Sequence, residues 1–336
     1  MSPREYDESD ARIRPSRTTR RRSKDRPTHS DSVSAFVTTV DRGRTTCMTE
    51  DGTVITAMKA RELGPKSVVV GDSVEIVGDL SGSEGTLARI VAVNERTNTL
   101  SRTVDDAARV ERTIVANIDQ LMIVVASTNP EPRRGLIDRF LVSAFHESIA
   151  PIILVTKVDL APIPDFFDEY RALGVKIITT SSLLETRPQE IAAIKEILHG
   201  KISVLVGHSG VGKSTLINDL VDNAARATGV VNDVTGRGRH TSSSAIALPL
   251  AGGGWIIDTP GIRAFGLSHL NKDRIIESFP EIYQVTQSCM PNCSHSEASC
   301  ALNAWIESDA AAKSERLIRV TSLRSLLEVK PSDEER

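Results

Sequence analysis

The chain has 336 residues, 40% of them hydrophobic and 25% charged, with a formal net charge of −3. That composition excludes collagen, long coiled coil and wholesale disorder, and fits a soluble globular protein of two or three domains. No apolar run approaches the ~20 residues that a membrane helix needs. The opening MSPREYDESD lacks the apolar stretch of a secretory signal, so the expected compartment is the cytoplasm and no membrane partner is expected.

Between Arg12 and Arg26, eight Lys/Arg stand against one acid, Asp25, among Pro, Ser and Thr. Such a segment buries too little apolar surface to offset its ordering entropy, so residues 1–31 read as a disordered basic tail. It is either a solvated tail or an arm that follows a phosphate backbone.

Residues 32–108 show short alternating stretches. AFVTTVDRG, TVITAMKA, SVVVGDSVEIVG and TLARIVAVNERTN each suit a strand, broken by turn signals at Asp51-Gly52, Gly71-Asp72 and Ser81-Gly82. Four or five strands in this span predict a small β-barrel, with an OB-fold as the first expectation. Phe36 is the only aromatic there, so a base-stacking platform is missing and any nucleic-acid contact leans on charge and shape. Cys47 reads as a small buried hydrophobe.

From 109 to 264 the rhythm becomes βαβ. Buried-strand runs at 121–126, 151–155, 175–178, 202–206 and 255–257 alternate with LIDRFLVSAFHE, PDFFDEYRALG, PQEIAAIKEILHG and STLINDLVDNAA, whose apolar residues recur at three and four. This predicts a parallel sheet covered on both faces, with ligands at the carboxyl ends of its strands. Residues 265–336 are mainly helical around a cysteine cluster, and the last helix runs from about Ser308 to Glu328.

Gly207-His208-Ser209-Gly210-Val211-Gly212-Lys213-Ser214 fits G-x-x-x-x-G-K-[ST] without a mismatch, between the strand ISVLV and the helix STLINDLV. Glycines let backbone N–H groups wrap phosphates, and the helix N-terminus adds its dipole. Lys213 is assigned to the β/γ-phosphates and Ser214 to Mg²⁺, with Thr215 completing the loop. Asp258-Thr259-Pro260-Gly261 follows the strand WII, 44 residues after Ser214. Beside a P-loop, that acid reads as the carboxylate holding Mg²⁺ and Gly261 as an N–H donor to the γ-phosphate.

Thr156-Lys157-Val158-Asp159 follows the strand PIILV and resembles the NKxD guanine motif, with Thr in the first place. A carboxylate at Asp159 accepts from N1 and the exocyclic amine of guanine, donors that adenine lacks, so an ATPase or small-molecule kinase is the weaker reading. Ser181-Ser182, closing the next strand, matches the loop whose N–H contacts guanine O6. Regular GTPases place the P-loop first. Here the guanine motifs precede it and DTPG comes last, so the sheet edge is built from a circularly permuted chain.

Over residues 32–330 the chain resembles the ribosome small subunit-dependent GTPase A family. The resemblance rests on ANID (Ala116 to Asp119), ASTNP, LIDRFL, GHSGVGKST, GRGRHTS at 236–242, DTPGIR and the cysteine cluster. It implies an OB-fold, a permuted P-loop GTPase domain and a zinc-binding, mainly α C-terminal domain. It also implies GTP hydrolysis stimulated by the small (30S) ribosomal subunit during late maturation, with GTP and GDP as ligands and rRNA as a contact. A monomer is expected. By the same match Thr241 is the switch threonine that meets Mg²⁺ and the γ-phosphate. Ile262 stands where many GTPases carry a water-orienting Gln, and an isoleucine cannot orient water. His240, beside Thr241, is the candidate for that task. Cys289, Cys293, His295 and Cys300 offer three sulfurs and one imidazole, enough to close one structural zinc shell, and resemble the family's ligand set.

Overall fold

The computed structural model describes residues 31–41, 43–64, 67–105, 110–183, 185–221, 245–259 and 271–328. The basic tail, His240, Thr241, Gly261 and Ile262 lie outside the described residues.

Five strands, β1 (Val33–Asp41), β2 (Arg44–Thr49), β3 (Val54–Lys59), β4 (Ser73–Gly78) and β5 (Ala88–Val93), run in the order β1-β2-β3-β5-β4. β4 also pairs with β1, which closes the barrel. Alternation puts Val37, Cys47, Ile55, Val74, Ile76 and Ile90 inside, all essentially without exposure. Cys47 is therefore the buried hydrophobe expected, and burial pushes its thiol up to about 12. β2 is the strand that the four alternating stretches do not include. After the barrel, β6 (Thr99–Asp105) and β7 (Val110–Ala116) form a separate antiparallel ribbon.

The central sheet is built from β8 (Gln120–Ala126), β9 (Ala150–Thr156), β10 (Lys176–Thr180), β11 (Ile202–Val206), β12 (Ile246–Pro249) and β13 (Trp255–Asp258). Its order is β10-β9-β8-β11-β13-β12, parallel throughout except at β12. All seven residues of β8 are buried, as a central strand with two covered faces requires. Leu121, Ile123 and Val125 join the core under α1 (Arg134–His146) and α2 (Phe167–Ala172). Met122, Val124 and Ala126 join the opposite core, under α3 (Arg187–Leu198) and α4 (Lys213–Leu220).

The joint between barrel and sheet uses the ANID segment. Asn117 donates to Gly71 O at 2.9 Å and accepts from Thr97 N, while Asp119 accepts from Ile202 N at 2.8 Å, where β11 starts. On the far edge β1 bonds to β12 at Thr39 and Ile246, so barrel and central strands form one 11-stranded sheet. Phe36 stacks on Trp255 with ring centroids 4.4 Å apart. The barrel's one aromatic is thus a structural contact with β13.

The C-terminal helices are α5 (Lys272–Glu277), α6 (Pro280–Thr286), α7 (Ala301–Glu307) and α8 (Lys313–Leu327). Ile275, Ile282, Leu302, Val320 and Leu323 join the same core as α1 and α2. The last helix begins later than its periodicity suggests, because Asp309 accepts from Ala311 N and Ala312 N and holds that stretch in a turn. Among the described residues, no helix is long and apolar enough to cross a membrane.

Candidate functional site

Parallel pairing brings the carboxyl ends of β9, β10, β11 and β13 to one edge. Thr180 lies level with Thr156, Thr156 with Ala126, and Asp258 with Leu205. The loops carrying Thr156–Asp159, Ser181–Ser182, Gly207–Ser214 and Asp258 all leave from that edge.

The P-loop needs its first and last glycines. A Cβ on Gly207 would stand 2.1 Å from Val124 O, on the neighbouring strand. Gly212 holds φ 98°, the left-handed region, as the residue capping α4. Lys213 folds back across the loop, donating to Gly207 O at 2.6 Å and His208 O at 2.9 Å. Burial lowers its pKa, an effect opposed by Asp258. Burial likewise raises Asp258, opposed by Lys213. Asp258 Oδ1 is buried with no hydrogen-bond partner among the described residues. A carboxylate oxygen left bare beside a phosphate-binding loop suits a hard divalent cation, so the site fits Mg²⁺. Thr259, next in chain, donates to Leu205 O at 2.8 Å and ties the Asp258 segment to β11.

Thr156 resolves the unusual first position of the guanine motif. Its buried hydroxyl lies 2.6 Å from Val211 O and 3.2 Å from Val125 O, so one side chain joins the β9 loop to the P-loop and to β8. Lys157 has φ 57°, and its carbonyl accepts from Ser127 Oγ at 2.7 Å, while its ammonium donates to Asn129 O. Ser127 and Asn129 belong to ASTNP, and this is the physical work of that segment. Ser181 is fully buried and its hydroxyl donates to Asp159 Oδ1. Ser181 N–H is itself taken by Glu190 at 3.1 Å, which leaves Ser182 as the member of the pair whose N–H is uncommitted among the described residues. Sequence reasoning missed Ser127, Asn129 and Glu190 as members of this network. A polar run directly after the buried strand β8 was a usable signal for the first two; Glu190 had none.

A second cluster lies between α6 and α7. One ligand atom from each of Cys289, Cys293, His295 and Cys300 falls within 4.8 Å of the others. Cys289 Sγ is 3.7 Å from His295 Nδ1 and 3.8 Å from Cys300 Sγ, and Cys300 Sγ is 3.8 Å from His295 Nδ1. Zn–S bonds of about 2.3 Å in a tetrahedron put sulfurs about 3.8 Å apart, so the donor set fits zinc. Burial lowers the His295 pKa and favours the neutral, ligating imidazole. His295 adopts φ 67°, and its carbonyl accepts from Arg324 Nε of α8 at 2.7 Å. Arg324 also donates to Asn303 at 2.8 Å, and Asn303 donates to the carbonyls of Glu297 and Ala298.

Comparison with known proteins bears on the family and the fold. The model of the family described as RsgA GTPase matches residues 93–268. The protein named small ribosomal subunit biogenesis GTPase RsgA from Chlorobaculum tepidum is 34% identical over 310 residues, covering 90% of this chain and 97% of that relative. The protein of the same name from Bacteroides fragilis is 35% identical over 271 residues, covering 78% of this chain and 84% of its own. Among solved structures, YjeQ from Thermotoga maritima superposes with a TM-score of 0.60 at 27% identity, over 89% of this chain and all of that one. YloQ, titled a circularly permuted GTPase, shares the fold with a TM-score of 0.56 over 90% of this chain and 98% of that one.

Two outcomes are expected. Thr156→Val leaves the buried Val211 carbonyl unpaired and should weaken GDP binding about tenfold, with Thr156→Ser restoring it, as read by fluorescent-nucleotide titration. Arg324→Ala should weaken zinc retention about tenfold in competition with a chromophoric chelator, while leaving nucleotide affinity unchanged.

Proposed function

This chain belongs to the RsgA GTPase family and is a GTP-hydrolysing enzyme; from that premise we propose that it binds the small (30S) ribosomal subunit and acts in its late maturation. In this reading the subunit stimulates hydrolysis, and hydrolysis releases the protein. The meeting of four loops on one sheet edge in permuted chain order, with Asp258 beside Lys213, supports the nucleotide switch, and the relatives named for small ribosomal subunit biogenesis support the partner.

Each residue then has a task. The N–H groups of Gly207 to Ser214 wrap the phosphates, Lys213 leaves its loop carbonyls for the β/γ-oxygens, and Thr215 continues the loop into α4. Asp159 accepts from guanine N1 and the exocyclic amine, Lys157 lays its stem along the base and Ser182 offers an N–H to O6. Asp258, Ser214 and Thr241 would hold Mg²⁺, which when bound neutralises charge developing on the transferred phosphoryl group. Gly261 donates to the γ-phosphate. His240 orients the attacking water, because Ile262 cannot. Cys289, Cys293, His295 and Cys300 would hold one structural zinc, which closes the loop between α6 and α7. The protein works as a cytoplasmic monomer. Barrel, tail and zinc region supply the rRNA contacts, with charge and shape in place of base stacking, since Phe36 is occupied by Trp255.

The decisive measurement is phosphate release from GTP with and without purified small subunits, using ATP as control. A large, GTP-specific stimulation is expected; turnover indifferent to subunits would overturn the ribosomal part of the reading. In the same assay Asp258→Asn should lower turnover by about 10²-fold or more without lowering the melting temperature, since it removes a buried charge rather than a packing contact.

A further inference from the structure

The guanine loop is braced from outside the motifs that define it. Ser181 directly follows β10 and has no exposure, and its hydroxyl donates to Asp159 while accepting from Leu183 N at 3.1 Å. Its N–H donates to Glu190 Oε2 at 3.1 Å. The other Glu190 oxygen accepts from Thr186 Oγ1 at 2.8 Å, so both carboxylate oxygens are engaged on the first turn of α3. The neighbouring Arg187 donates to Thr180 Oγ1 at 3.1 Å and pairs with Asp219 on α4. The end of β10 is thus held from α3, and α3 is held to the helix that follows the P-loop.

A carboxylate that reads two donors on one base edge must keep its plane aligned with that edge. The terminal torsion of an aspartate is broad and does not do this unaided. The Ser181 hydroxyl supplies the restraint on Asp159, and Ser181 can supply it only if its own backbone is fixed. We propose that Glu190 is a positioning residue for guanine specificity: by holding the Ser181 N–H it fixes the hydroxyl that sets the plane of Asp159. This rests on Asp159 being the guanine-reading residue. A helix-capping role alone would make Glu190 matter for stability and not for base choice. The two roles separate in the ratio of affinities for inosine diphosphate and GDP. Hypoxanthine keeps N1–H but lacks the exocyclic amine, so the ratio reports the alignment of the carboxylate.

The test measures dissociation constants for GDP and inosine diphosphate, with melting temperatures, on the full chain and on Glu190→Ala, Glu190→Gln and Asp159→Asn. Glu190→Ala should reduce the preference for GDP over inosine diphosphate about fivefold, and Glu190→Gln, whose amide oxygen still accepts from Ser181, should restore it to within about twofold. A lowered preference in both Asp159→Asn and Glu190→Ala supports the inference. A lowered preference in Asp159→Asn alone overturns it and leaves the guanine reading standing; in neither variant, both fall. A lowered preference in Glu190→Ala alone overturns the route through Asp159. If Glu190→Ala melts below the assay temperature, Glu190→Asp, one methylene short of the Ser181 N–H, carries the same test.

Discussion

Five parallel strands, hydrogen-bonded in register and covered on both faces, determine most of what this chain can do. Because β8, β9, β10, β11 and β13 all point the same way, every loop leaving a carboxyl end emerges at one edge. A loop's position there depends on which strand lies beside it and not on where its residues fall in the chain. Thr156 touches Val211 across 55 residues of sequence because β9 and β11 flank β8, and the intervening chain is free to run in either order. Permutation therefore leaves the site intact. What it changes is connectivity: the chain leaves Asp258 towards the C-terminal helices, and it reaches the Thr156–Asp159 loop only after passing through the barrel.

The two appended regions attach to this sheet by different physics. The barrel joins through polar and backbone bonds, Asn117 on Gly71 and β1 on β12, reinforced by one aromatic stack on β13. That contact is directional and small, and it falls on the strand that ends in Asp258. The C-terminal helices join through apolar burial. Phe279 meets Phe145 of α1 edge-on at 4.7 Å, and Ser278 donates to the Phe145 carbonyl. Their side chains share one core with α1 and α2, so they have little freedom to shift without opening that core. The cysteine–histidine cluster lies at the outer end of this packing, tied to α8 by Arg324.

How much of this could be read from residues depended on whether the physics was local. The central strands were legible because burial on both faces makes them continuous apolar runs, as in QLMIVVA. β2 was not, since RTTCMT carries two inward residues, Thr45 and Cys47, among threonines that resemble a loop. The β6–β7 ribbon was split by the boundary placed after residue 108, and among its described side chains Leu100, Val115 and Ala116 mark the buried side. The loops that meet at the sheet edge stood out as spacing motifs, and the Cys289–Cys300 cluster as a chemical type crowded into a short span. Their supports were not. Glu190 and Arg324 each act through two hydrogen bonds, of which the ones to Ser181 and His295 reach across unpatterned sequence, and a glutamate or arginine on a helix looks the same whether or not it does this. Phe36 shows the reverse case: its isolation was visible, its partner Trp255 was not.

Asp258 and Lys213 show what the fold keeps in reserve for its ligand. Burial raises the carboxylate and lowers the ammonium, and each partly offsets the other. For Asp258 the folded chain binds its proton more tightly than the unfolded chain does, so that group's contribution to stability is present at low pH and is lost as pH rises through its raised pKa. Burial thus works against the charged form of this carboxylate, and its Oδ1 has no hydrogen-bond partner among the described residues. Lys213 compensates only in part, because its ammonium is spent on the Gly207 and His208 carbonyls. A ligand with both a hard cation and phosphate oxygens would satisfy the two groups at once, Asp258 holding the cation and Lys213 exchanging its loop carbonyls for the phosphates. Under the proposed function, that unsatisfied pair would favour metal-bound nucleotide over either component alone, before any switch segment contributes.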